Sequence, residues 1–166
     1  MLLSRAGWMA IAAVTAVPVP QVQAQEHTLG VNARVLGASE VGVTWHVSPG
    51  LALRPALSFE WLKFDGAFGD QEVTEYGLGV DVLFQAAAAD RLTPYVGFGA
   101  TYGVVNGSIA GDGPTWRGRG LFGLRVRVMN RVAAFGEIGA QYRDVDEGSS
   151  SFVLATFPIG IIFYLK

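Results

Sequence analysis

Cysteine is absent from the 166-residue chain, which excludes disulfide scaffolds, thiolate metal sites and cysteine nucleophiles. Charge is scarce: Asp, Glu, Lys and Arg make up 16% of residues, where about 25% is ordinary. That scarcity excludes a disordered tail and a coiled coil, both of which need far more charge. The 12 basic residues stand mostly apart and the net charge is −2, so no basic stripe for nucleic acid exists. Lysine is almost missing, present only as Lys63 and Lys166. Beyond residue 24 no apolar run is long enough to span a bilayer as a helix. What the chain does have is apolar residues, at 51%, and 22 glycines.

The first 24 residues read as an export signal. Arg5 precedes the apolar run Ala6–Val17, followed by Pro18, Pro20 and the small-residue end Val22-Gln23-Ala24. The run is about 12 residues, short of the roughly 20 that cross a bilayer as a helix. Cleavage after Ala24 leaves residues 25–166 as one exported domain.

That remainder alternates with period two. Over Arg117–Met129, Gly118, Gly120, Phe122, Leu124, Val126 and Val128 share one face. Arg117, Arg119, Leu121, Gly123, Arg125 and Arg127 share the other. No helical face can separate these sets, because positions i and i+2 lie about 200° apart on a helix. The same test finds strands over 28–36, 40–47, 51–62, 75–85, 95–105, 132–143 and 152–165. The last is apolar on both faces, with Val153, Phe157, Ile159, Ile161, Phe163 and Leu165 forming one of them. Eight antiparallel strands result, the expected architecture being an all-β, up-and-down transmembrane barrel.

Charge decides which face meets lipid. The apolar faces carry no charged residue, while the opposite faces hold Arg34, Arg54, Arg117, Arg119, Arg125, Arg127 and Arg143 with Glu40, Glu60, Glu75, Asp81 and Glu137. A soluble barrel would cover its outside with hydrated Lys and Glu. A near-balance of Arg and carboxylate suits a confined interior, where guanidinium forks pair with carboxylates. An arginine turned to lipid near the midplane would cost about 2–4 kcal/mol. The expectation is a side-chain-filled lumen held by a charge network.

Aromatic residues on the apolar faces fall into two bands. Trp61, Tyr76, Tyr102 and Tyr142 lie near one end of their strands, and Trp45, Phe84 and Phe163 near the other. A ten-residue strand tilted about 40° separates them by roughly 25 Å, the spacing of interfacial girdles. The links also sort by end. Gly37–Ser39, Ser48-Pro49-Gly50 and Met129-Asn130-Arg131 read as short. Asp65–Gln71, Asn106–Trp116 and Asp144–Ser150 read as longer acidic loops sharing one end, with Ala86–Thr93 between strands four and five. The first link is tight for that scheme, and residues 28–47 as one bent strand is the alternative.

Three stretches resemble the small eight-stranded outer-membrane barrels of Gram-negative bacteria, the OmpX-like and opacity-type surface proteins. They are Thr93-Pro94-Tyr95-Val96-Gly97-Phe98-Gly99-Ala100, Asn130-Arg131-Val132 with Phe135-Gly136-Glu137, and Gly160-Ile161-Ile162-Phe163-Tyr164-Leu165. The last is similar to the terminal signal read by the barrel-assembly machinery, although the chain ends Leu165-Lys166 rather than in an aromatic residue. The resemblance spans 27–166. It implies the outer membrane, with lipids including lipopolysaccharide and the assembly machinery as partners, and a monomer without cofactors.

Catalytic chemistry is thin. The histidines are His27 and His46. Glu40 and Ser39 lie too far along the strand from His46 for a triad, so His46 reads as a lumenal hydrogen-bonding residue. Asp144-Val145-Asp146-Glu147-Gly148 lacks full calcium-loop spacing and reads as a solvated loop. Gly97-Phe98-Gly99 has no following helix to make a nucleotide loop. The expected function is a non-enzymatic membrane barrel with a structural or surface-interacting role. The alternatives are a gated channel favouring anions through Arg117, Arg119, Arg125 and Arg127, and a soluble periplasmic barrel for an apolar ligand.

Overall fold

In the computed structural model the described residues are 29–165 apart from 37–38, 67–68, 87–90, 108–112 and 146–148. The expected export signal over 1–24, His27, Lys166 and the acids Asp112, Asp146 and Glu147 therefore lie outside them. Nine strand segments follow one another: β1 Leu29–Leu36, β2 Ser39–Ser48, β3 Leu51–Gly66, β4 Gly69–Gln85, β5 Leu92–Gly107, β6 Gly113–Met129, β7 Val132–Val145, β8 Ser149–Thr156 and β9 Ile159–Tyr164. Every pairing is antiparallel between neighbours in sequence, with two exceptions made by the end of the chain. The segment β9 pairs with β7 on one side and with β1 on the other, which closes the sheet. The segments β8 and β9 are two halves of one barrel strand, interrupted at Phe157 and Pro158. The architecture is a closed, eight-stranded, up-and-down antiparallel barrel.

The alternation read from the sequence determines what faces out. Leu57, Leu78 and Phe98 are 65%, 63% and 58% exposed, while Arg54 and Asp81 are 1% and 0%. Apolar side chains form the outer wall and charged ones the centre, the reverse of a water-soluble domain. A smaller apolar filling accompanies the charges inside. Ala52, Leu83, Tyr95 and Leu121 form one cluster, and Ala133, Phe135, Ile162 and Tyr164 another.

The connections differ from the sequence expectation. Residues 28–47 do not make one bent strand: β1 and β2 form a hairpin, registered from Leu29↔Trp45 to Arg34↔Glu40. Of the stretch read as a loop over Asp65–Gln71, Asp65, Gly66 and Gly69–Gln71 belong to strands, because β3 and β4 stay paired as far as Gly66↔Gly69. Likewise Gly113–Trp116 belongs to β6, paired with β5 out to Val105↔Gly113. The cause is local: once the register is set below, each further pair only extends an existing hairpin. At 16 or 17 residues each, β3 to β6 outrun the roughly 25 Å apolar band. The β1–β2 hairpin stays low, so β3 beyond Phe59 pairs only with β4, and β8 pairs only with β7.

One phase assignment changes. Gly139 pairs with Thr156 but Ala140 with Leu154, so Ala155 is an extra residue in the last strand. A one-residue bulge exchanges the faces. Phe152, opposite Tyr142, takes the outer face above the bulge, while Val153 shares the inner face with Gln141 and no longer that of Phe157.

Candidate functional site

Register brings the inward residues into rows that run round the barrel. Arg54 pairs with Asp81, Asp81 with Gly99, and Gly99 with Arg119. The two arginines therefore stand on either side of one carboxylate. Arg54 Nη2 donates to Asp81 Oδ2 at 2.7 Å, and Arg119 Nε to Asp81 Oδ1 at 2.6 Å. Arg119 Nη1 also reaches Glu40 Oε1 at 2.6 Å, and Arg34 pairs with the same Glu40. Arg34 Nη2 and Arg54 Nη2 each lie 2.7 Å from a carboxylate oxygen of Glu137. Three guanidinium groups and three carboxylates thus neutralise one another across the middle of the lumen. Arg54 also lies over the Phe135 ring, 5.2 Å from its centroid.

Glycine makes these contacts possible. A Cβ on Gly99 would sit 2.0 Å from Asp81 Oδ1, in the gap that Asp81 and Arg119 use to meet. Tyr95 and Glu137 flank Gly123 in the next row and bond across it at 2.8 Å, with the Tyr95 ring 2.3 Å from where a Cβ would stand. Leu83 and Leu121 close over Gly97 in the same way. The Tyr95-Val96-Gly97-Phe98-Gly99 stretch is therefore a lumen-lining device, with two of its glycines holding open the space that long neighbours cross.

A second network lies on the loop side of the first. Arg117 pairs with Glu75 and, at 3.4 Å, with Glu60, and Arg143 Nη2 lies 2.8 Å from Glu75 Oε2. Between the networks, Ser58, Gly77 and Gly103 form a row of short side chains, and the open groove of about 660 Å³ beside them is lined mostly by outward residues such as Leu57, Leu78 and Tyr102. Beside the interruption of the last strand, Arg34, Arg119, Glu137 and Pro158 enclose a void of only about 40 Å³. That volume holds water but is no passage for a solute.

Two of the sequence-selected arginines are not in carboxylate pairs. Arg125 lies at the turn end with Nη1 2.6 Å from His46 Nε2 and Nη2 3.1 Å from Gln85 Oε1. A guanidinium only donates, so His46 Nε2 accepts and the ring is the neutral, Nδ1-protonated form. Arg127 is exposed at the mouth and pairs with no carboxylate among the described residues. The register explains both: each carboxylate-bearing row lies further toward the loops. Glu40, placed on the inward face by parity, joins the central network by pairing with two arginines.

On the outside, Trp45, Trp61, Tyr76, Phe84, Tyr102, Tyr142 and Phe163 are all exposed. Trp116, assigned to a loop from sequence, stands in β6 with its ring 4.8 Å from that of Tyr102. Its parity with Gly118, Gly120 and Phe122 was the available signal. Trp61 Nε1 donates to Glu72 Oε1 at 2.6 Å near the exposed Lys63. Of the acidic-loop stretch 144–148, only Asp144 and Val145 are described, and among the described residues no group of three or more potential ligands is arranged to hold a metal ion.

No protein-family model and no curated protein matches the sequence. Solved structures do match the fold. Neisserial surface protein A aligns with a TM-score of 0.58 and 10% identity, covering 82% of this chain and 93% of that one. The fold is that of a small outer-membrane β-barrel. A major outer membrane protein of Thermus thermophilus aligns at 0.54 and 13% identity, over 82% and 98% of the two chains. CarO of Acinetobacter baumannii aligns at 0.52 and 12%, over 82% and 96%. At such identities the shared property is the barrel itself.

Proposed function

We propose that this barrel is an integral outer-membrane protein with a closed, ion-paired lumen and a structural or surface-interacting role, without enzymatic activity. The observation that carries the reading is the joint inversion of the molecule: an apolar, aromatic-banded outside and a neutralised charge network inside. An apolar outside supports contact with acyl chains, and the charges are affordable only because each carboxylate in the lumen meets a guanidinium. The Trp61–Glu72 pair and Lys63 at the loop-end rim fit the headgroup region, where lipopolysaccharide phosphates are the expected neighbours. The loop end, carrying Asp65, Asp70, Glu72 and Asp144, would face outward from the cell. His46, bonded to Arg125, and Glu40, held by Arg34 and Arg119, are engaged in separate contacts.

The channel alternative weakens because Arg117 and Arg119 are taken up by carboxylates. A soluble ligand-binding barrel would need its apolar face within. Planar-bilayer recording of the purified protein tests the closed lumen: no conductance steps above background are expected, and regular steps would establish a channel. Cell fractionation tests the location, with recovery in the outer-membrane fraction expected and recovery in detergent-free periplasm contradicting it.

A further inference from the structure

We propose that the turn-end mouth of the barrel binds a small oxyanion, a phosphate or carboxylate group, through Arg125 and Arg127. Inside the barrel Arg34, Arg54, Arg117, Arg119 and Arg143 share Glu40, Glu60, Glu75, Asp81 and Glu137, each in an ion pair. Arg125 is the sixth inward guanidinium, 7% exposed, and among the described residues its partners are the neutral groups His46, Gln85 and the Tyr164 hydroxyl, with no carboxylate. A buried charge without an opposite one is strongly unfavourable, so the site favours an incoming anion.

The surroundings strengthen that field. Arg127 lies two residues further along β6, on the same side of the strand. Its backbone N–H donates to the carbonyl of Arg91 at 2.8 Å, and the N–H of Tyr164 donates to the carbonyl of Arg131 at 2.8 Å. The ends of β5, β6 and β7 thus bring four arginines to one rim; Asp90 lies outside the described residues. His46 and Gln85 hold two ends of the Arg125 fork, which fixes its plane as oxyanion recognition requires.

The test uses the full exported chain refolded in a zwitterionic detergent, with inorganic phosphate as probe and ionic strength held constant with sodium chloride. Phosphate is expected to raise the unfolding temperature in a saturable way. Arg125→Gln should abolish the rise, and Arg127→Gln, at an exposed position that leaves folding intact, should weaken the apparent affinity roughly ten-fold. No rise, or an equal rise in the parent and Arg127→Gln, overturns the site. A rise confined to vesicles containing phosphatidylglycerol also overturns it, by assigning the arginines to lipid headgroups.

Discussion

A single missing methyl group leaves the space in which Asp81 meets Arg119. Gly99 stands between Asp81 and Arg119, and a Cβ there would occupy the space of the carboxylate oxygen. Gly99→Ala is expected to lower stability by about 1–3 kcal/mol through overpacking. Gly136→Ala, where a Cβ would meet nothing within 4 Å, should stay within about 0.5 kcal/mol. Urea unfolding in the same detergent compares the two. Asp81→Ala removes the carboxylate shared by Arg34, Arg54 and Arg119 and should cost about 3–5 kcal/mol. Glu60→Ala, at a more open position on the loop side, should cost less than about 1 kcal/mol. Which residues point inward was legible in the sequence, because parity along one strand carries that information. Partners were not, because they depend on how adjacent strands slide past one another. Arg125 shows the difference: parity placed it inside, but register put it below every carboxylate.

At the scale of the strand, the end of the chain departs furthest from a simple alternation. Residues 152–165 looked apolar on both faces, and the reason is the extra residue Ala155, which exchanges the faces between β8 and β9. Deleting Ala155 removes the bulge while leaving Leu154 opposite Ala140, so the variant is expected to refold. Deleting Ile161 from β9 shifts half the strand by one position and turns either Phe163 or the Gly160 side to the wrong face. It should fail to give the heat-modifiable electrophoretic band of a closed barrel. Strand ends were the least legible elements. Asp65, Gly66, Gly69, Asp70 and Gln71 offer no apolar contrast, yet pairing inherited from below carries β3 and β4 out to Gly66↔Gly69. The same extension hid Trp116 in an apparent loop.

At the scale of the whole molecule, scarcity of charge and glycine abundance have one explanation: the interior is small, polar and crowded, and the exterior is apolar. Fold class was legible because both faces of every strand obey that rule. The outer wall should accordingly resist charge in proportion to depth. Val80→Arg, on the outward face midway between Tyr76 and Phe84, is expected to destabilise the protein in lipid vesicles by about 2–4 kcal/mol. Equilibrium unfolding from vesicles reads this directly. The absence of cysteine permits a still more direct measurement: single cysteines placed at each position from 57 to 61 of β3, where the inward Ser58 and Glu60 are only partly buried, spin-labelled, in protein reconstituted into vesicles. Oxygen, which partitions into lipid, should relax the labels at 57, 59 and 61 most strongly, with 58 and 60 protected. The opposite phase, or no alternation at all, would contradict an apolar wall turned to lipid around a sealed core of charge.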